Sequence, residues 1–105
     1  MAKYLLLVVS NPVPGRVEEY NRWYSDVHLG EVLQVPGFVG ARRFQVVAQP
    51  SDNPICGSYV ALYEMDCEDP VATYASLGTA TDAGRIRVSD ALDTVNISIT
   101  VLRPL

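Results

Sequence analysis

The chain of 105 residues contains a single histidine, His28. An unperturbed imidazole titrates near neutrality, so it can take up a proton and return it within one catalytic cycle. A lone histidine on a helix can equally be a surface residue or a hydrogen-bonded filler. Asn21 precedes it by two helical turns, about 10 Å along an axis. Its amide could orient a carbonyl or a water, or simply face solvent. Tyr20, Trp23 and Tyr24 sit at helical spacing and read first as packing aromatics. Their polar tips need partners when buried, so one can turn a hydroxyl into a pocket.

Arg42 and Arg43 alternate, so only one faces the covered side of a strand. Arg43 shares its face with Val39 and Ala41, small residues that leave a hollow. A guanidinium there could bind a carboxylate or enolate oxygen; the plainer role is a surface ion pair. Arg42 shares its face with Phe38 and Phe44, so Arg43 is favoured. Tyr63 shares the face of Tyr59 and Ala61, where it either packs or donates to a substrate oxygen. Asp66, Glu68 and Asp69 have no histidine near them and make a poor transition-metal site. There is no phosphate-binding glycine loop, nucleophile elbow or zinc motif.

The elements that must position these groups are set by periodicity. Lys3 to Ser10 reads as a strand with two apolar faces, both expected to be covered. Asn11-Pro12-Val13-Pro14-Gly15 breaks it, and a helix is expected over Gly15 to Leu33, bent or interrupted near Gly30. At 100° per residue, Val17, Tyr20, Tyr24 and Val27 form its core stripe. Trp23 lies at one border; Asn21, His28 and Val32 lie along the other. Phe38 to Ala48 is a second strand in which Gly40 marks a bulge or a close approach. Ser58 to Met65 is a third. Asp69-Pro70 caps and opens a second helix, expected to end near Gly78. Thr79 to Ala91 has no clear pattern beyond a helical turn near Ser89. Asp93 to Arg103 is the last strand, with Val95, Ile97, Ile99 and Val101 inward.

The order β-α-β-β-α-β folds into a ferredoxin-like α+β domain over residues 1–105. Its four-stranded antiparallel sheet carries both helices on one face. The uncovered face keeps apolar residues of the first and last strands, so a second copy is expected against it, sheet to sheet. The chain is of single-domain size, and its 49% hydrophobic residues suffice for a core. Its 8 Lys and Arg against 12 Asp and Glu disfavour nucleic acid and anionic membranes as partners. No apolar run is long enough to span a bilayer. No secretory signal is expected at the start of the chain. Cys56 and Cys67 flank an extended segment that holds them roughly 30 Å apart, too far for a bridge. Two free thiols fit a reducing cytoplasm.

One stretch is less generic. Tyr20-Asn21-x-Trp23-Tyr24-x-x-x-His28, then Val35-Pro36-Gly37-Phe38, then Ala41-Arg42-Arg43-Phe44 resembles the EthD-like family of the dimeric α+β barrel superfamily. The likeness covers residues 4–47; the rest agrees only in element order. The resemblance implies a homodimer of ferredoxin-like subunits, each with a pocket between sheet and helices, and chemistry without metal or organic cofactor. It implies an acid/base role for His28. One departure is Gly30, where many relatives carry proline two residues after the histidine; it puts the shape of the pocket mouth in question.

The expectation is a cofactor-independent lyase, isomerase, cyclase or decarboxylase with His28 catalytic. Asn21, Tyr20, Trp23, Tyr24, Arg43 and Tyr63 would bind a small, largely apolar oxygenated substrate: aromatic, lactone, terpenoid or polyketide-like. Two alternatives are a non-catalytic carrier of an apolar metabolite and a cofactor-free oxygenase.

Overall fold

The computed structural model describes residues 2–105. The chain runs β1 (Ala2–Ser10), α1 (Val17–Trp23), a π-helical turn (Tyr24–His28) and α2 (Leu29–Leu33). It continues through β2 (Phe38–Gln45), β3 (Tyr59–Cys67), α3 (Pro70–Asp82) and β4 (Ser98–Leu102). The strands form one antiparallel sheet in the order β2-β3-β1-β4. This is the expected ferredoxin-like topology.

The helices cover one face. Leu6, Val8, Ala61, Tyr63 and Met65 point into that layer and are buried, meeting Tyr20, Tyr24 and Val32 of the helical segment. The register places Val101 opposite Leu6 and Ile99 opposite Val8, so β4 contributes to the same face. The opposite face carries Leu5, Leu7, Val60 and Leu62, all half-buried, with Phe44 and Leu102 exposed beside them. No helix covers it. The loop before β3 closes only one end: Gly57 lies so near Ser10 that a Cβ would stand 2.6 Å from its carbonyl oxygen.

Four local features depart from the sequence reading. First, the helix is irregular at Tyr24–His28, not at Gly30, which sits exposed within a regular α2. A π turn inserts one residue into the helical period. The buried stripe therefore runs Tyr20, Tyr24, Val32, and His28 turns inward in the place assigned to Val27. Val17 is 42% exposed and leaves the core stripe altogether. Second, the bulge at Val39 and Gly40 turns Phe38 onto the helix face with Ala41 and Arg43, away from Arg42 and Phe44. Phe38 is 4% exposed and Val39 54%. The hollow beside Arg43 owes nothing to Val39.

Third, α3 does not stop at Gly78. It begins as expected, with the Asp69 carboxylate accepting from the Ala72 N–H at 3.1 Å and Pro70 in the first turn. It ends at Gly84 (φ +78°), where Arg85 N–H reaches Ala80 C=O and Gly84 N–H reaches Thr81 C=O. This paired closure needs a left-handed residue, which Gly78 is not. Fourth, β4 is shorter than Asp93–Arg103. The Asp93 carboxylate accepts from the N–H of Val95 at 2.9 Å and the side-chain amide of Asn96 at 3.2 Å. That local turn competes with strand pairing and leaves Val95 outside the sheet.

Candidate active site

A cavity of about 280 Å³ lies between the helix-facing side of the sheet and the helices. Its floor is Leu6, Val8 and Tyr63; Trp23, Tyr24 and His28 form one wall. Tyr74, Leu77, Gly78 and Thr81 of α3 form the other, at the i, i+3, i+4, i+7 spacing of one helix face. Segment 85–92 crosses one side as a strap and supplies Val88 and Leu92. It is tied to the helical segment by backbone groups. The indole N–H of Trp23 donates to Arg87 C=O at 3.1 Å. Arg87 N–H donates to the Glu31 carboxylate at 2.8 Å, and Arg16 donates to Asp90 C=O at 3.1 Å. The stretch without a clear sequence pattern is thus the last turn of α3, its closure at Gly84 and this strap.

His28 is held by aromatic rings. Trp23 stacks on it at 4.6 Å between centroids, and Tyr24 meets it edge-on at 4.9 Å. Residues five apart diverge by about 140° on a straight α-helix; the π turn brings Trp23 and His28 together. The imidazole Nδ1 is buried with no hydrogen-bond partner among the described residues. Burial pulls the pKa down from 6.5 to about 4, opposed by the Glu31 carboxylate and aided by Arg43. The ring is thus neutral at neutral pH. Tyr24, Tyr63 and Tyr74 bring phenols to the lining, and Thr81 a hydroxyl. Tyr63 donates to Tyr24 at 3.4 Å, and burial raises the pKa of both, Tyr24 to about 12. Both remain protonated donors.

The candidates divide between this cavity and a second place. His28, Trp23, Tyr24 and Tyr63 line the cavity. Asn21 and Arg43 do not. Arg43 faces the helical segment, donating to Ser25 Oγ at 2.9 Å and Asn21 Oδ1 at 2.8 Å. Its guanidinium carbon lies 4.4 Å from the ring centroid of Tyr24, which lines the cavity. Tyr20 is fully buried, shares a 2.6 Å hydrogen bond with Ser10 Oγ, and lines neither space. Arg42 lies over Phe44 on the other side of the sheet. Gly30 is exposed within α2 and is not among the residues that line the cavity.

Tyr74, Gly78 and the strap were missing from the sequence reading. The four-residue spacing of Asn21 and Ser25 could have announced that one arginine bridges them. No three His, Cys, Asp or Glu side chains gather at a metal-binding distance among the described residues. Cys56 is exposed and Cys67 buried, both unbridged. A wider groove of about 740 Å³ along the start of α1, by Arg16, Val17, Glu18, Glu19 and Arg22, is open to solvent and does not include His28.

No family model matches the chain, and no curated protein matches it in sequence. Solved structures do match in shape. A dimeric ferredoxin-like protein of unknown function from Jannaschia sp. CCS1 has TM-score 0.63 and 17% identity, over 98% of this chain and 100% of that one. An ethyl tert-butyl ether D (EthD) family protein from Bacillus halodurans C-125 has TM-score 0.58 and 13% identity, with both chains fully covered. The chain has an EthD-type fold. A candidate monooxygenase from Shewanella loihica PV-4 shares it at TM-score 0.61 and 15% identity, over 99% and 95% of the two chains. Identities this low carry the EthD-type fold and leave the chemistry to the site. No helix among the described residues is long and apolar enough to cross a membrane.

Proposed function

We propose that this chain is a cofactor-independent acid/base enzyme of the lyase, isomerase, cyclase or decarboxylase kind. His28 transfers the proton on a small, largely apolar oxygenated substrate of aromatic, lactone, terpenoid or polyketide-like character. The observation that carries this reading is the unpartnered Nδ1 of a neutral, ring-clamped His28 that lines a largely apolar cavity. Buried polar atoms are nearly always hydrogen-bonded, and one that is not points to a missing partner.

The neutral imidazole removes a proton from carbon next to a carbonyl, and the C–H electron pair moves into the enolate. Tyr24 accepts from Tyr63 and keeps its own O–H free to stabilise the enolate oxygen. Reprotonation at another carbon gives isomerisation; loss of a β-substituent gives elimination. Negative charge developing beside the ring raises the imidazole's proton affinity as the proton is transferred. The uncovered apolar sheet face supports pairing with a second copy, sheet to sheet.

The test is turnover of lactones, aromatic ketones and polyketide mimics by the wild type and by His28→Ala. Loss of at least about a hundredfold in rate is expected from the usual worth of acid/base catalysis. Unchanged turnover overturns the mechanism. The Shewanella loihica neighbour favours a second reading, a cofactor-free oxygenase. It predicts oxygen consumption with electron-rich phenols. Ligand affinity that survives His28→Ala, with no product from any ligand, leaves the carrier reading.

A further inference from the structure

Arg43 is a half-buried cation without an acid. The ion pairs among the described residues are Lys3–Asp66, Arg16–Glu19 and Arg87–Glu31. None involves Arg43. Its guanidinium packs against three tyrosine rings, Tyr24 at 4.4 Å, Tyr20 at 5.4 Å and Tyr59 at 5.5 Å. Its two bonded neighbours, Ser25 Oγ and Asn21 Oδ1, are neutral and engage two of the five N–H groups of a guanidinium.

The hydrogen bonds here also run one way. Arg43 donates to Asn21, and the Asn21 amide donates to the Tyr59 hydroxyl at 3.3 Å. Tyr59 is left with an O–H and no acceptor among the described residues. The chain therefore begins with a charge and ends on a free donor, each step polarising the next. Both open onto a pocket of about 260 Å³ at the edge strand, walled by Phe44, Gln45 and Tyr59. No residue lines both this pocket and the His28 cavity.

We propose that the Arg43–Asn21–Tyr59 pocket is a second binding site, separate from the His28 cavity, for a small carboxylate with a flat apolar body. A planar carboxylate matches the fork of the guanidinium and accepts from Tyr59 as well. Tyr59 offers its ring to the body of the ligand. The volume exceeds the roughly 150 Å³ that admits benzene, so one ring with its carboxylate fits. Benzoate is the simplest such ligand.

The test is calorimetric titration of the full chain with benzoate and with neutral benzamide. Benzoate is expected to bind at least about tenfold tighter, since charge-assisted hydrogen bonds are the stronger class. Tyr59→Phe leaves the Arg43 stack in place and is expected to weaken benzoate about tenfold. Arg43→Gln, if folded by near-ultraviolet circular dichroism, is expected to abolish it. His28→Ala is expected to leave benzoate affinity within about twofold whatever it does to turnover, because the pockets share no residue. Equal binding of benzamide, or undiminished benzoate binding by Tyr59→Phe, overturns the site. Loss of benzoate binding in folded His28→Ala places the ligand in the other cavity and also overturns it.

Discussion

Lowering the pH should destabilise this protein through its one histidine before most carboxylates respond. The pKa of His28 is about 4 in the folded chain and 6.5 when unperturbed, burial being the main cause. The unfolded chain therefore takes up a proton that the folded chain refuses between these values. Stability is fully present above about pH 6.5 and is lost as pH falls toward about 4. The whole gap of 6.5 to about 4 corresponds to about 3 kcal/mol. At pH 5, where only part has been lost, linkage gives about 2 kcal/mol relative to pH 7. For a domain of this size that is a fall in Tm of roughly 10 °C. Proton NMR follows the imidazole directly, since the only histidine gives an unambiguous signal. Urea denaturation at pH 7, 6 and 5 follows the energy. His28→Phe should flatten the stability curve between pH 7 and 5, leaving acid sensitivity to the carboxylates at lower pH. A midpoint near 6.5, or equal pH slopes in wild type and His28→Phe, would refute the placement of the ring in a desolvated wall.

Other expectations rest on local features. Gly78 lies within α3 and an added Cβ meets nothing within 4 Å, so Gly78→Ala should raise stability by about 0.5–1 kcal/mol in urea titrations. Asp69→Ala removes the cap on Ala72 N–H and should cost about 1 kcal/mol by the same assay. Leu7 is in the middle of β1 on the uncovered sheet face; if a second copy covers that face, Leu7→Lys should shift sedimentation from dimer to monomer without altering far-ultraviolet circular dichroism.

The topology was readable because strand alternation and the Asp69-Pro70 helix start are local signals. So was the choice of Arg43 for the helix-facing side, although Val39 has no part in its hollow. The bulge at Gly40 was visible as a glycine, but nothing local says that the residue before it is the one expelled. That detail decides whether Phe38 or Val39 enters the core. The inward turn of His28 was readable only in part, since phasing put it at the border of the core stripe and not within it. Phasing at a constant 100° assumes an unbroken helix, and the π turn at Tyr24–His28 breaks that period. Gly78 misled for a related reason. A glycine ends a helix only where the chain goes left-handed, and that happens at Gly84, six residues on. The separation of Asn21 and Arg43 from His28 is a tertiary fact: one tyrosine ring, Tyr24, touches both His28 and Arg43.

The π turn at Tyr24–His28 also has a meaning in terms of chain length. It is the mark a one-residue insertion leaves in a helix. A chain shorter by one exposed residue there, such as Asp26, would close into an ordinary helix and carry every aromatic and the histidine unchanged in type. Trp23 and His28 would then be four residues apart, about 40° about the axis, and the residues after the deletion would keep nearly their present orientation, because the π turn already absorbs the extra residue. In a regular helix of the present length the same two residues would diverge by about 140°. The stacking of the imidazole on the indole thus depends on chain length and helix type together, which variation in length at this turn would sample and substitution would not.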